Sequence, residues 1–93
     1  MPNFVVIAKG TLEAKKNIKE LKQKFIDVSN LFKAKESKIL KAYAVMGAYD
    51  YMFITEAPDL ESAFELSAMI GALGTFECET WPIMPLEELY DLI

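Results

Sequence analysis

The stretch that decides the fold is residues 38–59, KILKAYAVMGAYDYMFITEAPD. Two apolar, aromatic-rich runs flank the turn residues 47–50, a pattern typical of a β-hairpin. The second run stops at Ala57-Pro58-Asp59, where Asp59 is a favourable N-cap residue for a helix. We therefore predict strands over residues 38–46 and 51–57, followed by a helix.

On the N-terminal side of the hairpin, the sequence predicts one strand and one long helix. Residues 3–9, NFVVIAK, form a β-branched run that is bounded by Gly10. Thr11 can cap a helix over residues 12–35. Apolar residues recur there at helical spacings of three and four, which indicates one buried stripe made of Ala14, Ile18, Leu21, Phe25, Val28 and Phe32.

On the C-terminal side, the helix that begins after Asp59 should run to about Leu73, because Gly74 favours a left-handed stop. Residues 75–81 alternate apolar and polar side chains, which predicts a half-polar strand. Pro82 and Pro85 should end regular pairing, and residues 86–93 should form a short amphipathic turn or helix.

The order β-α-β-β-α-β predicts an α+β, ferredoxin-like fold, with a four-stranded antiparallel sheet and two helices on one face. The 93 residues make a single domain with a C-terminal tail over 82–93. Three strands are apolar at consecutive positions, so both of their faces require burial, although two helices cover only one. We therefore expect a homodimer, or a higher homo-oligomer, that buries the other face.

The register of the hairpin selects the interface candidates. If residues 47–50 close it symmetrically, Met46 faces Tyr51 and Lys41 faces Glu56. One face then carries the candidate interface residues Tyr43, Val45, Met52 and Ile54. The opposite assignment replaces them with Ala44, Met46, Tyr51 and Phe53.

The charge distribution is lopsided. All ten basic residues are lysines between Lys9 and Lys41, where four acids leave a net charge of +6. From Ala42 onward there are ten acids and no base. A solvated helix face is the favoured interpretation, and a basic surface for an acidic partner is the alternative. Without arginine, nucleic-acid binding is not expected.

Missing residue types exclude several chemistries. The chain has no histidine, so no Ser-His-Asp triad or histidine-ligated haem is possible, and a lone cysteine makes no zinc motif. We expect no cofactor and no metal. A single cysteine and the absence of a signal peptide or long apolar run are typical of a cytoplasmic protein that neither enters nor spans a membrane.

Five residues are candidates for binding a small molecule: Tyr43, Tyr49, Asp50, Glu77 and Glu79. A polar cavity would combine Tyr43 with Lys41, Glu56 and the two glutamates of the last strand. The favoured interpretation is simpler, with a Lys41–Glu56 cross-strand ion pair and solvated glutamates. We expect Asp50 to accept backbone hydrogen bonds within the hairpin, and Cys78 to be a buried, inert thiol.

Five segments carry a resemblance to a known family: the first strand (residues 3–9), Gly47-Ala48-Tyr49-Asp50, Glu56-Ala57-Pro58-Asp59, Gly74, and Glu77-Cys78-Glu79-Thr80. Over residues 3 to about 81 the chain resembles the GYD-domain family, named for its Gly-x-Tyr-Asp hairpin. An arginine of the first helix and an Arg-Thr in the last strand are missing here, and residues 82–93 have no counterpart.

The resemblance implies membership of the dimeric α/β-barrel superfamily, whose members pair open sheet faces. That superfamily includes effector-binding domains of leucine-responsive-type regulators and small cofactor-independent monooxygenases. The GYD family has no settled biochemical activity. We therefore expect a non-catalytic domain that binds a small molecule or serves assembly. A small enzyme of the monooxygenase or isomerase kind, with its site in the barrel, is the alternative.

Overall fold

The computed structural model describes residues 1–93 and confirms the predicted β-α-β-β-α-β order. A short 3-10 turn, Ile18–Glu20, separates the first two helices, and one more helix follows the last strand. The strands and helices are β1 Asn3–Gly10, α1 Leu12–Lys16, α2 Leu21–Ala34, β2 Lys38–Ala44, β3 Tyr51–Glu56, α3 Leu60–Ala72, β4 Phe76–Ile83 and α4 Leu86–Leu92.

The four strands form one antiparallel sheet in the order β2-β3-β1-β4. The hairpin therefore supplies one edge, and β4 supplies the other. Because side chains alternate between faces, Val6, Phe53 and Phe76 point to one side, whereas Val5 and Ile54 point to the other.

Helices α2 and α3 pack together on the first of these faces and bury the core. Val28 and Phe32 from α2 meet Leu66 and Ile70 from α3, and all four side chains are at most 2% exposed. Beneath them, the rings of Phe53 and Phe76 meet edge to face, with centroids 6.2 Å apart. The apolar side chains on one face of the strands and those along one side of α2 thus pack together in a single buried layer.

The first helix is not continuous, so the prediction of one helix over 12–35 was wrong. It breaks at Asn17, whose backbone leaves the helical region at φ −110° and ψ 42°. The Asn17 side-chain amide donates to the carbonyl oxygen of Glu13 at 3.0 Å, and this local bond competes with continued helix. As a result, Ile18 leaves the buried stripe and is 53% exposed.

The predicted helix boundaries agree with the observed caps. The Thr11 hydroxyl accepts from the Ala14 N–H at 3.2 Å, and the Asp59 carboxylate accepts from the Ser62 N–H at 2.8 Å. After α3, Gly74 adopts φ +74°, a left-handed conformation that favours glycine.

The end of the chain has the short helix that the sequence predicts, but its last strand is longer than predicted. Strand β4 continues through Pro82 to Ile83, because an edge strand tolerates a residue that has no N–H to donate. Helix α4 then follows Pro85, and all of its residues are exposed. None of the helices combines the length and the apolar character required to span a bilayer.

Candidate functional site

The face of the sheet opposite the helices α2 and α3 is left open by the chain's own core packing. Two rows of side chains cross its centre: Trp81, Val5, Ile54 and Lys41 in one, and Glu79, Ile7, Met52 and Tyr43 in the other. Val5 is only 7% exposed, whereas Tyr43 and Trp81, near the edges, are each 44% exposed. Apolar side chains thus fill the middle of this open face, and polar or charged groups lie towards its edges and ends.

The hairpin register differs from the predicted one by two residues. Ala44, not Met46, faces Tyr51, and the Val45 N–H donates to the Asp50 carbonyl oxygen at 2.9 Å. The predicted Lys41–Glu56 pair is therefore absent, because Lys41 faces Ile54 and a β-bulge places Lys38 opposite Glu56. A shift of two residues keeps each side chain on its face.

The facial assignment of the interface candidates is therefore settled by the pairing. Tyr43, Met52 and Ile54 lie on the open face, whereas Val45 follows the end of β2, where its N–H bonds to the Asp50 carbonyl oxygen. Of the opposite set, Tyr51 and Phe53 contribute to the core beneath the helices. Met46 lies in the loop and is fully exposed.

Tyr49 connects the hairpin loop to the far edge strand. Its hydroxyl donates a hydrogen bond to the Glu79 carboxylate, which also accepts from the Trp81 indole N–H at 3.2 Å. These bonds lower the pKa of Glu79, and the bond to Glu79 raises the pKa of Tyr49. The Lys9 ammonium lies 5.9 Å from the centre of the Tyr49 ring.

The Asp50 side chain contacts β1 and α1 rather than its own hairpin, which corrects the expected partners of its carboxylate. Its carboxylate accepts from the Gly10 N–H at 2.9 Å and lies 3.4 Å from the Lys15 ammonium. The bond from Gly10, followed by the charge of Lys15, holds the pKa of Asp50 below its ordinary value.

The five predicted ligand-binding residues do not converge on one cavity. Tyr49 and Glu79 are bonded to each other, but Asp50 turns towards Lys15. Tyr43 lies three strands away from Glu79, a distance of about 14 Å at ordinary strand spacing. Glu77 is exposed and paired in register with Lys9, and no cluster of three or more potential ligands could hold a metal ion.

Cys78 lies half-buried on the helix-facing side of β4. Burial raises the pKa of its thiol, and a side-chain hydrogen bond with Ser67 opposes that effect. A thiol with a raised pKa is mostly protonated near neutral pH, which makes it a poor nucleophile.

A family comparison now identifies the chain. The model of the GYD domain matches residues 4–93. The chain belongs to the GYD domain family. This match includes residues 82–93, for which the sequence pattern alone gave no counterpart in the family.

Two solved structures resemble this GYD domain. The crystal structure of FFRP-DM1 aligns with a TM-score of 0.63 at 13% identity, over 90% of this chain and 100% of the other. TTHA0845 from Thermus thermophilus aligns with a TM-score of 0.59 at 16% identity, over 91% of this chain and 95% of the other. At these identities the likeness establishes the fold. No curated protein sequence matches the chain.

The residues for which the GYD domain is named serve the hairpin geometry. Gly47 adopts φ +143°, a conformation that residues with a side chain rarely adopt. Tyr49 reaches β4 through Glu79, and Asp50 reaches the end of β1 through Gly10. Tyr49 and Asp50 therefore attach the hairpin loop to β4 and to the end of β1, respectively.

The GYD domain also has an apolar cleft that the sequence reading missed. It lies between α2 and the edge strand β2, on the helix side of the sheet, and has a volume of about 320 Å³. Exposed Ala42 and Ala44 leave it open because their side chains are small. The other side chains that define this α2–β2 cleft include Leu21, Lys22, Phe25 and Phe53.

Two patterns in the sequence could have predicted the α2–β2 cleft and the contact between Glu79 and Trp81. Alanine at alternate positions of a strand, Ala42 and Ala44, leaves space beside a helix whose facing residue is Phe25. Trp81 lies two residues after Glu79 in a strand, so both side chains share a face. By contrast, no local signal brings Lys9 or Glu79 to Tyr49, since Glu79 is 30 residues away in the chain.

Proposed function

We propose that this GYD domain is a non-catalytic assembly domain that pairs with a second copy of itself through the open face of its sheet. The observation that carries the proposal is the apolar centre of that face, formed by Val5, Ile7, Met52 and Ile54 with no helix over it. Soluble proteins rarely leave a continuous apolar surface of this kind in water.

The pattern of the face supports an interface. An apolar centre surrounded by polar groups is the usual anatomy of a protein–protein contact. Here the apolar rows are bordered by Lys9 and Glu77 at one end and by Lys38 and Glu56 at the other. A two-fold pair would bury the same patch on both copies.

The ionisable groups support a non-catalytic role. The pKa values of Asp50 and Glu79 are lowered by their hydrogen bonds, and burial raises the pKa of Cys78. Acid–base catalysis works best with a group whose pKa is near the working pH. No observed arrangement favours the alternative of a cofactor-independent enzyme.

Light scattering tests the dimer directly. At low micromolar concentration we expect about twice the chain mass of 10.5 kDa. Tyr43→Lys and Ile54→Lys place charges on the open face and should give folded monomers, because a buried unpaired charge destabilises an interface. Tyr43 is at an edge and 44% exposed, so its replacement should leave folding intact.

Leu12→Lys is the matched control, because Leu12 is 71% exposed on α1 and is not part of the open face. It should remain dimeric. A wild-type chain that is folded and monomeric even at high micromolar concentration would refute the proposal, as would open-face variants that keep the wild-type mass.

A further inference from the structure

The α2–β2 cleft is a cavity with apolar walls that nothing in the chain fills. Its volume of about 320 Å³ lies within the range of small-molecule sites, which is about 300–1,000 Å³. Lys22 is the one lining residue that is not hydrophobic. Small-molecule sites commonly combine apolar walls with a few polar groups that orient the ligand.

Aromatic rings form much of the wall of this cleft. The ring centroids of Phe25 and Phe53 are 5.5 Å apart, and the ring of Tyr51 meets that of Phe76 edge to face at 5.4 Å. All four residues line the cleft. Aromatic rings pack favourably against a further ring in offset or edge-to-face geometry, so these walls favour a flat aromatic ligand.

The volume of the cleft limits the size of that ligand. An apolar cavity of about 150 Å³ holds one benzene molecule, and the cleft has about 320 Å³. At about 30 Å³ for each water-sized atom, there is room for roughly ten non-hydrogen atoms. One aromatic ring with a short substituent has this size.

The charges around the cleft favour an anionic substituent. Neither of the two ion pairs in the chain includes Lys22, so its ammonium group has no carboxylate partner. By helical spacing, residues 26, 29 and 33 share this side of α2 with Lys22, and none of them is acidic. Strand β2 carries two lysines and no acid. A negative group beside Lys22 would therefore be attracted by both of these elements.

A second apolar groove on the helix side, between α3 and β4, suits the same ligand less well. This α3–β4 groove has a volume of about 350 Å³ and is lined by Leu60 and Phe64 among others. Glu79 also lines it, and Glu61 lies on the same helix as Phe64. These carboxylates would repel an anion, because like charges at a contact are unfavourable.

The cleft remains accessible when two sheet faces pair. Ala42 is opposite Phe53 and Ala44 is opposite Tyr51, so both alanines lie on the helix side of the sheet. The proposed dimer uses the other side. Ligand binding and dimer formation can therefore be tested separately.

We propose that the α2–β2 cleft binds a small aromatic carboxylate. Its ring lies against Phe25 and the two alanines of β2, and its carboxylate lies beside the Lys22 ammonium. This ligand site is additional to the assembly role and does not depend on the dimer.

Titration of the ¹⁵N-labelled chain with phenylacetate, followed by NMR, gives the first test. We expect saturable binding with a dissociation constant of about 1 mM or below, and amide shifts concentrated at residues 21–25 and 42–44. Phenylacetamide has the same shape without the charge and should bind roughly three- to tenfold more weakly. Phenethylamine, a cation, should cause no saturable shift of these amides.

Substitutions at the cleft give the second test. Ala42→Leu should fill the cleft and raise the dissociation constant about tenfold or more, and Ala42 is exposed, so the fold should be retained. Lys22→Gln should remove the preference for phenylacetate over phenylacetamide. Lys33→Gln is the matched control, because it removes a lysine about 16 Å further along α2, and it should bind as wild type.

Three results would overturn the proposal. The first is shifts that do not saturate, or wild-type affinity in Ala42→Leu. The second is weaker binding by Phe64→Ala, which would place phenylacetate in the α3–β4 groove. The third is a set of cleft amides that shift when the protein is diluted but not with phenylacetate, which would show that a second copy occupies the cleft.

One further variant separates the ligand site from the dimer. Ile54→Lys changes the open face and should bind phenylacetate with wild-type affinity. A wild-type chain that is monomeric and binds phenylacetate would refute the dimer and support the ligand site. A dimer whose cleft binds no phenylacetate would refute the ligand site alone.

Discussion

Tyr49 and Asp50 are neighbours in the chain, but their side chains leave the hairpin in different directions. Tyr49 crosses to Glu79 on β4, and Asp50 turns to the Gly10 N–H at the end of β1. Together they add two side-chain contacts to a loop whose backbone also bonds to β1, where the Asp50 N–H donates to the Ala8 carbonyl oxygen at 2.9 Å. Both residues therefore connect the hairpin loop to other parts of the fold, and their role in binding a ligand stays a prediction.

The contact made by the Asp50 carboxylate has a defined pH dependence. Because its pKa is lowered in the folded protein, its stabilising effect is complete above the unfolded pKa of about 3.9 and is lost as pH falls through the folded pKa. Asp50→Ala should therefore lower the urea midpoint at pH 7, and the difference from wild type should shrink below about pH 4.

Urea unfolding at several pH values measures this effect. Glu61→Gln, an exposed acid on α3, is the control and should follow the wild-type profile. An Asp50→Ala chain as stable as wild type at pH 7 would contradict the stabilising role of this contact.

At the scale of elements, the connection between α2 and β2 holds a residue in a strained conformation. Glu36 adopts φ +55°, and its N–H donates to the Lys33 carbonyl at 3.1 Å. The Ser37 N–H donates to the Phe32 carbonyl at 2.9 Å, which completes a Schellman-type helix end. Glycine usually occupies this position because it has no Cβ to clash.

Glu36→Gly should therefore stabilise the protein. Relief of the left-handed strain should raise the free energy of unfolding by about 0.5–1 kcal/mol, offset in part by the greater freedom of glycine in the unfolded chain. Chemical denaturation measures the change. Lys33→Gly, which places glycine inside α2, should lower stability. A loss of stability in Glu36→Gly would show that the side chain contributes more than its backbone strain removes.

Local sequence patterns predicted most of the helices and strands, but not the break in the first helix or the extension of β4. Thr11, Asp59 and Gly74 act on the backbone within three residues of themselves, so their effects are readable in sequence. The break at Asn17 was missed because the apolar spacing continues through it. The continuation of β4 through Pro82 was missed because it requires knowing that β4 is an edge.

At the scale of the whole molecule, the fold places basic and acidic parts of the chain at opposite edges of the sheet. Six lysines lie on α1, the 3-10 turn and α2. By contrast, α3, β4 and α4 carry acidic residues and no basic residue. The sheet order places β2, with its lysines, at one edge and acidic β4 at the other. Two copies that pair face to face about a two-fold axis parallel to the strands would bring edges of opposite charge together.

A dimer that dissociates as it unfolds should melt at a temperature that depends on concentration. For a chain of 93 residues, typical unfolding enthalpies give a rise in Tm of about 4 °C for each tenfold increase in protein concentration. Calorimetry over a hundredfold range of concentration measures this directly. Ile54→Lys should remove the dependence, and a wild-type Tm that is constant over that range would contradict a dimer coupled to folding.

The sequence by itself determined the element order, the helix caps and which hairpin residues share a face, whereas the structure decided which of the two faces the helices cover. The three properties that the sequence determined arise from contacts within a few residues and from the fixed alternation of a strand, so a two-residue register error left Tyr43, Met52 and Ile54 on one shared face. Only the tertiary structure decided the partners of Tyr49 and Asp50, the exposed position of α4 and the opening beside Ala42. Those features join residues that are far apart in the chain, and their geometry is set by packing of the whole layer.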